Sequence, residues 1–319
     1  MQREYQLRGV ITRLTTNAVA QGNASIDGRY AAWTQWPSDG SSESDIYLYD
    51  LATGVERRVT GAGPQYFSAL SNRKLAFTDG SKGDRDDDIV VYDLKTGETI
   101  RLDRPGLQWA PEISGRWMVY NDSRHTNNEV YLCDLETMTE TRLTDSPAIQ
   151  GGPHISGHRV VWTDFETGEG DISLLDLRTG IVVNLTQHPA YDGQSGIDGD
   201  TVVFVSRRDG GIPNLFYHRL RDGETVQVTQ ASGLGVTDPH VSGDYISYFE
   251  HDPAGNRFIL YIHSITRGMS APVPGLPTCT GCFRAWNAIS GNRVIFSDVL
   301  DGNQDVYLFT FGFESVRAH

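Results

Sequence analysis

Cysteine is scarce in this chain. Three in 319 residues are too few to staple a fold of this size through disulfides. Basic residues are also in deficit, 27 Lys and Arg against 41 Asp and Glu, for a formal net charge of −14. That balance argues against a nucleic-acid partner, which requires a dense Lys/Arg face to neutralise phosphates, and against docking on anionic lipid. No apolar run approaches the ~18 residues of a spanning helix, so membrane insertion is not expected. The opening MQREYQLRGV has no apolar core of a signal peptide. A cytoplasmic location is expected if Met1 is native, and an exported one if this is a trimmed mature form. Hydrophobic residues make up 38% and charged ones 21%, a mix that is neither disordered nor membrane-embedded. Glycine and aromatics are plentiful, with 34 Gly, 14 Tyr and 12 Phe, and they point to many turns and many strands.

Length alone suggests two domains, but internal repetition overrides that expectation. Seven segments share one template: Ile26-Asp27-Gly28, Leu70-Ser71-Asn72, Ile113-Ser114-Gly115, Ile155-Ser156-Gly157, Ile197-Asp198-Gly199, Val241-Ser242-Gly243 and Ile289-Ser290-Gly291. Seven residues beyond each apolar leader stands an aromatic: Trp33, Phe77, Tyr120, Trp162, Phe204, Tyr248 and Phe296. A fixed offset around a Ser/Asp-Gly pair predicts two strands, A and B, joined by a tight hairpin. A second template, seen in Asp45-IYLY-Asp50-LATG and Asp88-IVVY-Asp93-LKTG, predicts a further hairpin of strands C and D.

The seventh unit lacks its last strand, and Gly9-VITR-Leu14-Thr15 matches the missing piece. Pairing residues 8–15 with the strand near 305–311 would close a ring and cover its edge. The expected fold is therefore an all-β, seven-bladed β-propeller in one domain spanning 1–319. The blades are expected near 19–60, 65–103, 108–145, 150–187, 192–230, 236–275 and 284–319 plus 8–15, and the chain is expected to be a monomer.

The A–B and C–D connections are constant in length. The stretch from strand-B aromatic to the Asp50-type position instead varies from 14 to 17 residues, and the D–A connection varies too. Tolerance of insertions marks the B–C/D–A face as the binding face. Residues recurring in every blade read as fold, and departures in single blades as candidates for function. Asp88 belongs to an Asp84-x-Asp86-x-Asp88 run, but Asp45, Glu129, Asp171 and Asp305 share its column, which makes it structural rather than a calcium ligand. Strand B ends in an acid in five blades (Asp79, Asp122, Asp164, Glu250 and Asp298), expected to fix the following loop. Blade five breaks that column with Ser206-Arg207-Arg208. These arginines, with Arg124 and Arg284, are candidates for an anion clamp.

Where strand A begins, Gln21, Gln65, Gln108 and Gln150 occupy one column. They are placed to satisfy backbone ends or bridge channel water, and the last three are also candidate ligand contacts. Trp109 and Trp286 fall in the variable loops, where aromatics suit sugar rings or a protein anchor. The column directly before each leader reads Ser25, Ala69, Glu112, His154, Gly196, His240 and Ala288. Glu112, His154 and His240 are candidate ligands of a divalent metal in or at the mouth of the central channel. His154 and His240 are also candidate catalytic bases. Cys279-x-x-Cys282 has too few thiolates for structural zinc and an all-β context unlike that of a redox motif. Cys133 is expected to be a buried, inert thiol.

The repeat P-x-I-S-G-x-x-V-V-W-x-D followed by D-I-Y-L-Y-D-L-x-T-G-x-x-x-x-L-T, clearest at Pro153–Asp164 with Asp171–Thr186, resembles the TolB-like propeller family with its PD40-type repeat. The resemblance covers essentially the whole chain. It implies the propeller fold, a periplasmic or secreted location if the chain is a trimmed form, and binding of a partner. Oligogalacturonate lyases are similar in architecture and place a metal and a catalytic His at the channel mouth. The expected function is thus a binding module for a protein or carbohydrate on the B–C/D–A face. The competing expectation is a metal-assisted lyase or hydrolase of an acidic saccharide, with arginines neutralising the substrate carboxylate.

Overall fold

The computed structural model describes residues 4–39, 41, 43–83, 86–125, 127–255, 257–276, 287–299 and 303–316. All its regular structure is strand, arranged as seven four-stranded antiparallel sheets. In blade 1 the strands are Gln21–Asp27, Tyr30–Gln35, Asp45–Asp50 and Val55–Arg58, and blades 2 to 6 repeat the order A-B-C-D. Blade 7 takes A, B and C from Asn287–Ser290, Arg293–Val299 and Gln304–Val316, and its outer strand from the other end of the chain, Glu4–Arg13. That pairing runs from Glu4↔Val316 to Arg13↔Tyr307. The N-terminal closure expected from the repeat is present, and it begins earlier than residue 8.

The strand-B aromatics are the core. All seven are no more than 3% exposed, and each contributes on the order of 2–3 kcal/mol by leaving water. Five face an aromatic in register on strand C, Trp33 opposite Tyr47 and four that stack: Tyr120–Tyr131, Phe204–Phe216, Tyr248–Tyr261 and Phe296–Tyr307, with centroids 5.5 to 5.9 Å apart. Cross-strand pairs of this kind set the register of the pleat.

The Ser/Asp of the A–B turn does more than shape a hairpin. In every blade its side-chain oxygen accepts the turn N–H of the next blade: Asp27 from Asn72, Ser71 from Gly115, Ser114 from Gly157, Ser156 from Gly199, Asp198 from Gly243, Ser242 from Gly291 and Ser290 from Gly28, at 2.7 to 3.4 Å. Seven bonds thus form a closed girdle around the channel. The column containing Asp88 is structural, as expected. Thr60, Thr144, Thr186 and Thr229 each accept the N–H of the residue after that column and donate to the column's acid or Asn. Asp88 itself is fully buried and pairs with Arg101 and Lys82 at 2.9 Å each, while Asp84 lies outside the described residues.

Candidate functional site

Strand A lines the axis, and its geometry departs from a plain strand. In blades 1 to 6 the A–B register slips by one residue, between Gly22/Ser25, Tyr66/Ala69, Trp109/Glu112, Gly151/His154, Gly193/Gly196 and Thr237/His240. Each bulge places one residue in the left-handed region: Asn23, Phe67, Ala110, Gly152, Gln194 and Asp238, with φ from +49° at Asn23 to +61° at Gly152. Blades 3, 4 and 6 follow it with Pro111, Pro153 and Pro239, which fit because a bulge leaves one N–H without a ladder partner. The bulge re-aims the next side chain into the channel, and in those three blades that side chain is Glu112, His154 or His240.

A cavity of about 860 Å³ follows the axis, and Glu112, His154 and His240 all line it. The Glu112 carboxylate lies 3.9 Å from His154 Nδ1, and the His154 and His240 rings meet edge to face with centroids 6.2 Å apart. Blade 6 therefore reaches blades 3 and 4 across a narrow channel. The three stand fifth along seven-residue strands, about 10 Å below the loop face by strand rise. They lie deep in the channel, not at its mouth.

Sequence comparison between blades did not single out Asp238, which organises this end of the site. His240 Nε2 lies 3.2 Å from Asp238 Oδ1. The other carboxylate oxygen of Asp238 accepts the Asn287 N–H at 2.8 Å and its side-chain amide at 2.9 Å. Gln194 Oε1 accepts the Asp238 N–H at 3.1 Å and the Thr237 hydroxyl at 3.2 Å. The detectable signal was a lone acid two residues before a histidine; the bulge at Asp238 brings the two side chains together.

These neighbours separate the pKa values. Burial pushes the Glu112 carboxyl up to about 7, with the His240 charge pulling weakly the other way. Burial and the nearby His240 push His154 down to about 4, Asp238 opposing them. Burial also works against a charged His240, but the Asp238 carboxylate, its hydrogen bond and Glu112 outweigh it and raise the imidazole above its ordinary value. Glu112 keeps 40% of its side-chain surface accessible and His154 28%. That surface faces enclosed channel space, so the walls rather than direct cover set the desolvation.

The trio converges on the channel. His240 directs Nε2 to Asp238, and among the described residues no group of three or more His, Cys, Asp or Glu side chains is disposed to hold a metal ion.

The other expected contacts divide. Trp109 lines the cavity. Gln65, Gln108 and Gln150 do not: all three are no more than 2% exposed, and their amides donate to Ala62 O, Pro105 O and Asp164 Oδ1. Here the bracing role wins over ligand contact, because the D–A loop and the end of strand B close over them. The arginine clamp is likewise not assembled. Arg208 donates to Asp192 at 2.8 Å and packs on Phe204 and Phe216. Arg124 is held by Asp122 and Glu140. Arg207 stays exposed above the Tyr191 ring, 5.4 Å from its centroid. Ser206 replaces the strand-B acid in the same task, accepting the Arg208 N–H at 3.2 Å much as Asp122 accepts that of Arg124 at 2.8 Å. Arg284, Trp286, Cys279 and Cys282 lie outside the described residues. Cys133 is buried, and burial raises its thiol to about 12, so it is inert as expected.

No family model and no curated protein matches the chain. Solved structures do. TolB from Acinetobacter baumannii is 23% identical, with a TM-score of 0.58 over 78% of this chain; the chain spans 65% of the TolB chain. An oligogalacturonate lyase in complex with manganese is 15% identical, with a TM-score of 0.72 over 98% of this chain and 97% of that one. The propeller domain of the Trilobed protease from Pyrococcus furiosus is 13% identical, with a TM-score of 0.69 over 93% and 95%. That domain is described as an open velcro, whereas here residues 4–13 close the ring. Together the blades and these likenesses establish the fold: a seven-bladed β-propeller similar to TolB and to the lyase.

Proposed function

We propose that the chain is a binding module that admits its ligand from the B–C/D–A loop face into the axial channel. The observation that carries this reading is the 860 Å³ cavity, whose polar lining consists of residues that break the repeat. A propeller held together only for its own stability gains nothing from Glu112 or His154 at a position where blades 2, 5 and 7 carry Ala or Gly. Of the two ligand classes the loop face admits, protein and carbohydrate, the lining favours carbohydrate. Trp109 supplies an apolar face for a sugar ring, and Asn, Gln and Ser groups supply hydrogen bonds. The test is ligand-induced stabilisation across a saccharide panel, for the parent and for Trp109→Ala. Binding at the channel predicts at least about tenfold weaker affinity in the variant, as for an aromatic anchor. A saccharide that stabilises both proteins equally sits elsewhere, and the reading fails.

A second reading, a lyase or hydrolase of an acidic saccharide, draws support from the carboxyl of Glu112 near 7 beside the Asp238–His240 pair. Opposed pKa shifts in one cavity are the mark of acid–base work. Against it stand the lack of a metal-ligand group among the described residues and the pairing of Arg208 and Arg124 with carboxylates. Turnover of uronate oligosaccharides, followed as absorbance of an unsaturated product, decides between the two.

A further inference from the structure

We infer that the channel selects neutral, hydroxyl-rich saccharides and rejects their uronate counterparts. This rests on the binding reading above and adds the charge of the ligand to it. The ionisable groups lining the cavity are Glu112, His154, Asp238 and His240, and among the described residues no Lys or Arg lines it. The imidazole best able to carry a proton, His240, is already paired with Asp238. Asp238 thus presents a carboxylate to a ligand, and Glu112 presents a second as pH rises through about 7, while two of the rim arginines are already paired. Arg208 is paired with the buried Asp192, and Arg124 with Asp122 and Glu140. A uronate entering here would lose its hydration and meet like charge, with no Lys or Arg among the described lining residues to repay the loss. The net charge of −14 adds long-range repulsion of the same sign.

Neutral hydroxyls find the opposite. Two cavity-lining oxygens, Asn128 Oδ1 and Ser195 Oγ, are buried without a hydrogen-bond partner. A buried acceptor left unpaired is costly, and a sugar hydroxyl can donate to either. Asn128 cannot swing away to find another partner, because its amide donates to Gln150 O at 2.8 Å and Asn121 Oδ1 at 3.1 Å. Gly151 makes room for this arrangement: a Cβ there would come within 2.6 Å of Asn128 Nδ2.

Matched pairs that differ only in charge test the inference by calorimetry: methyl-esterified against free-acid galacturonan oligomers, and gluco- against glucurono-oligosaccharides. The neutral member is expected to bind, and the acid at least about tenfold more weakly, as a like-charge contact imposes. Glu112→Gln should narrow the gap by strengthening the acid. So should Ser25→Lys, which puts a cation at the blade-1 equivalent of Glu112 and does not depend on that carboxylate. Equal or tighter binding of the acid by the parent overturns the charge inference and leaves the binding reading standing. A gap that neither folded variant narrows overturns it as well, since the lining would not be its cause. Failure of every pair to bind overturns both.

Discussion

His154 and His240 hold the same place in two blades and titrate in opposite directions because of one upstream side chain. Blade 6 has Asp238 in its bulge where blade 4 has Gly152. Asp238→Asn should therefore bring His240 down toward His154, and a pH titration of the ring protons by NMR reads both at once. An unmoved His240 would mean that Asp238 is not its counter-ion. Glu112 makes a stability prediction with a definite sign. Its carboxyl holds a proton to about pH 7 in the folded chain and only in the ordinary carboxylate range when unfolded, so folding takes up a proton between the two. The associated stability is complete below the unfolded value and is lost as pH rises through 7. Glu112→Gln, neutral throughout, should melt at the parent's temperature at pH 4 and above it at pH 8. Equal melting at pH 8 would show that the charged carboxylate is not disfavoured.

At the scale of strands and turns, the repeating Thr clamp is a place where one hydroxyl serves two buried groups. Thr229 Oγ1 accepts the Leu215 N–H at 2.9 Å and donates to Asn214 Oδ1 at 3.0 Å, with Leu215 fully buried. Thr229→Val keeps the shape and orphans that amide, so it should cost about 1–3 kcal/mol in urea unfolding. A loss within ~0.5 kcal/mol, the range of neutral surface changes, would mean that the amide finds another partner. The strands themselves were legible in the sequence, because hairpins of fixed length repeat the same aromatic and Ser/Asp columns seven times. The bulge in strand A was not. It recurs at the same offset in blades 1 to 6, so comparing blades keeps every column aligned and conceals the extra residue. Ranking departures from the repeat picked out Glu112, His154 and His240, and reading the aromatics of the variable loops picked out Trp109; all four line the channel. Neither could separate a glutamine facing the channel from one folded back on its own loop, because Gln65 and Gln108 differ from ligand contacts only in where the backbone turns. The arginines of blade five misled for a related reason. Charge is visible in a sequence, but the carboxylate that cancels it, Asp192 for Arg208, is one strand away.

The whole molecule depends on joining its two ends. The seven side-chain bonds of the A–B girdle fix neighbouring blades near the axis, but they act at one end of strand A and leave the rim to the outer strands. There the N-terminal segment does two things. Its strand Glu4–Arg13 covers the long edge of Gln304–Val316. Just beyond it, Thr15 enters the blade-7 clamp, accepting the Val306 N–H at 2.9 Å and donating to the fully buried Asp305 at 3.1 Å, where Arg13 also pairs. Deleting residues 1–16 removes all of these together. It would bare a 13-residue strand carrying Phe309, Phe311 and Phe313, and an unguarded apolar edge of that length is a template for pairing with another chain. The truncated protein should melt well below the parent and scatter light as it associates, with a dependence on protein concentration that the parent lacks. Adding the missing strand back as a peptide should restore both properties in part, because the edge it covers is otherwise formed by blade 7 alone. A truncated protein that stays monodisperse with unchanged melting would show that the girdle and the six complete blades suffice to hold the ring.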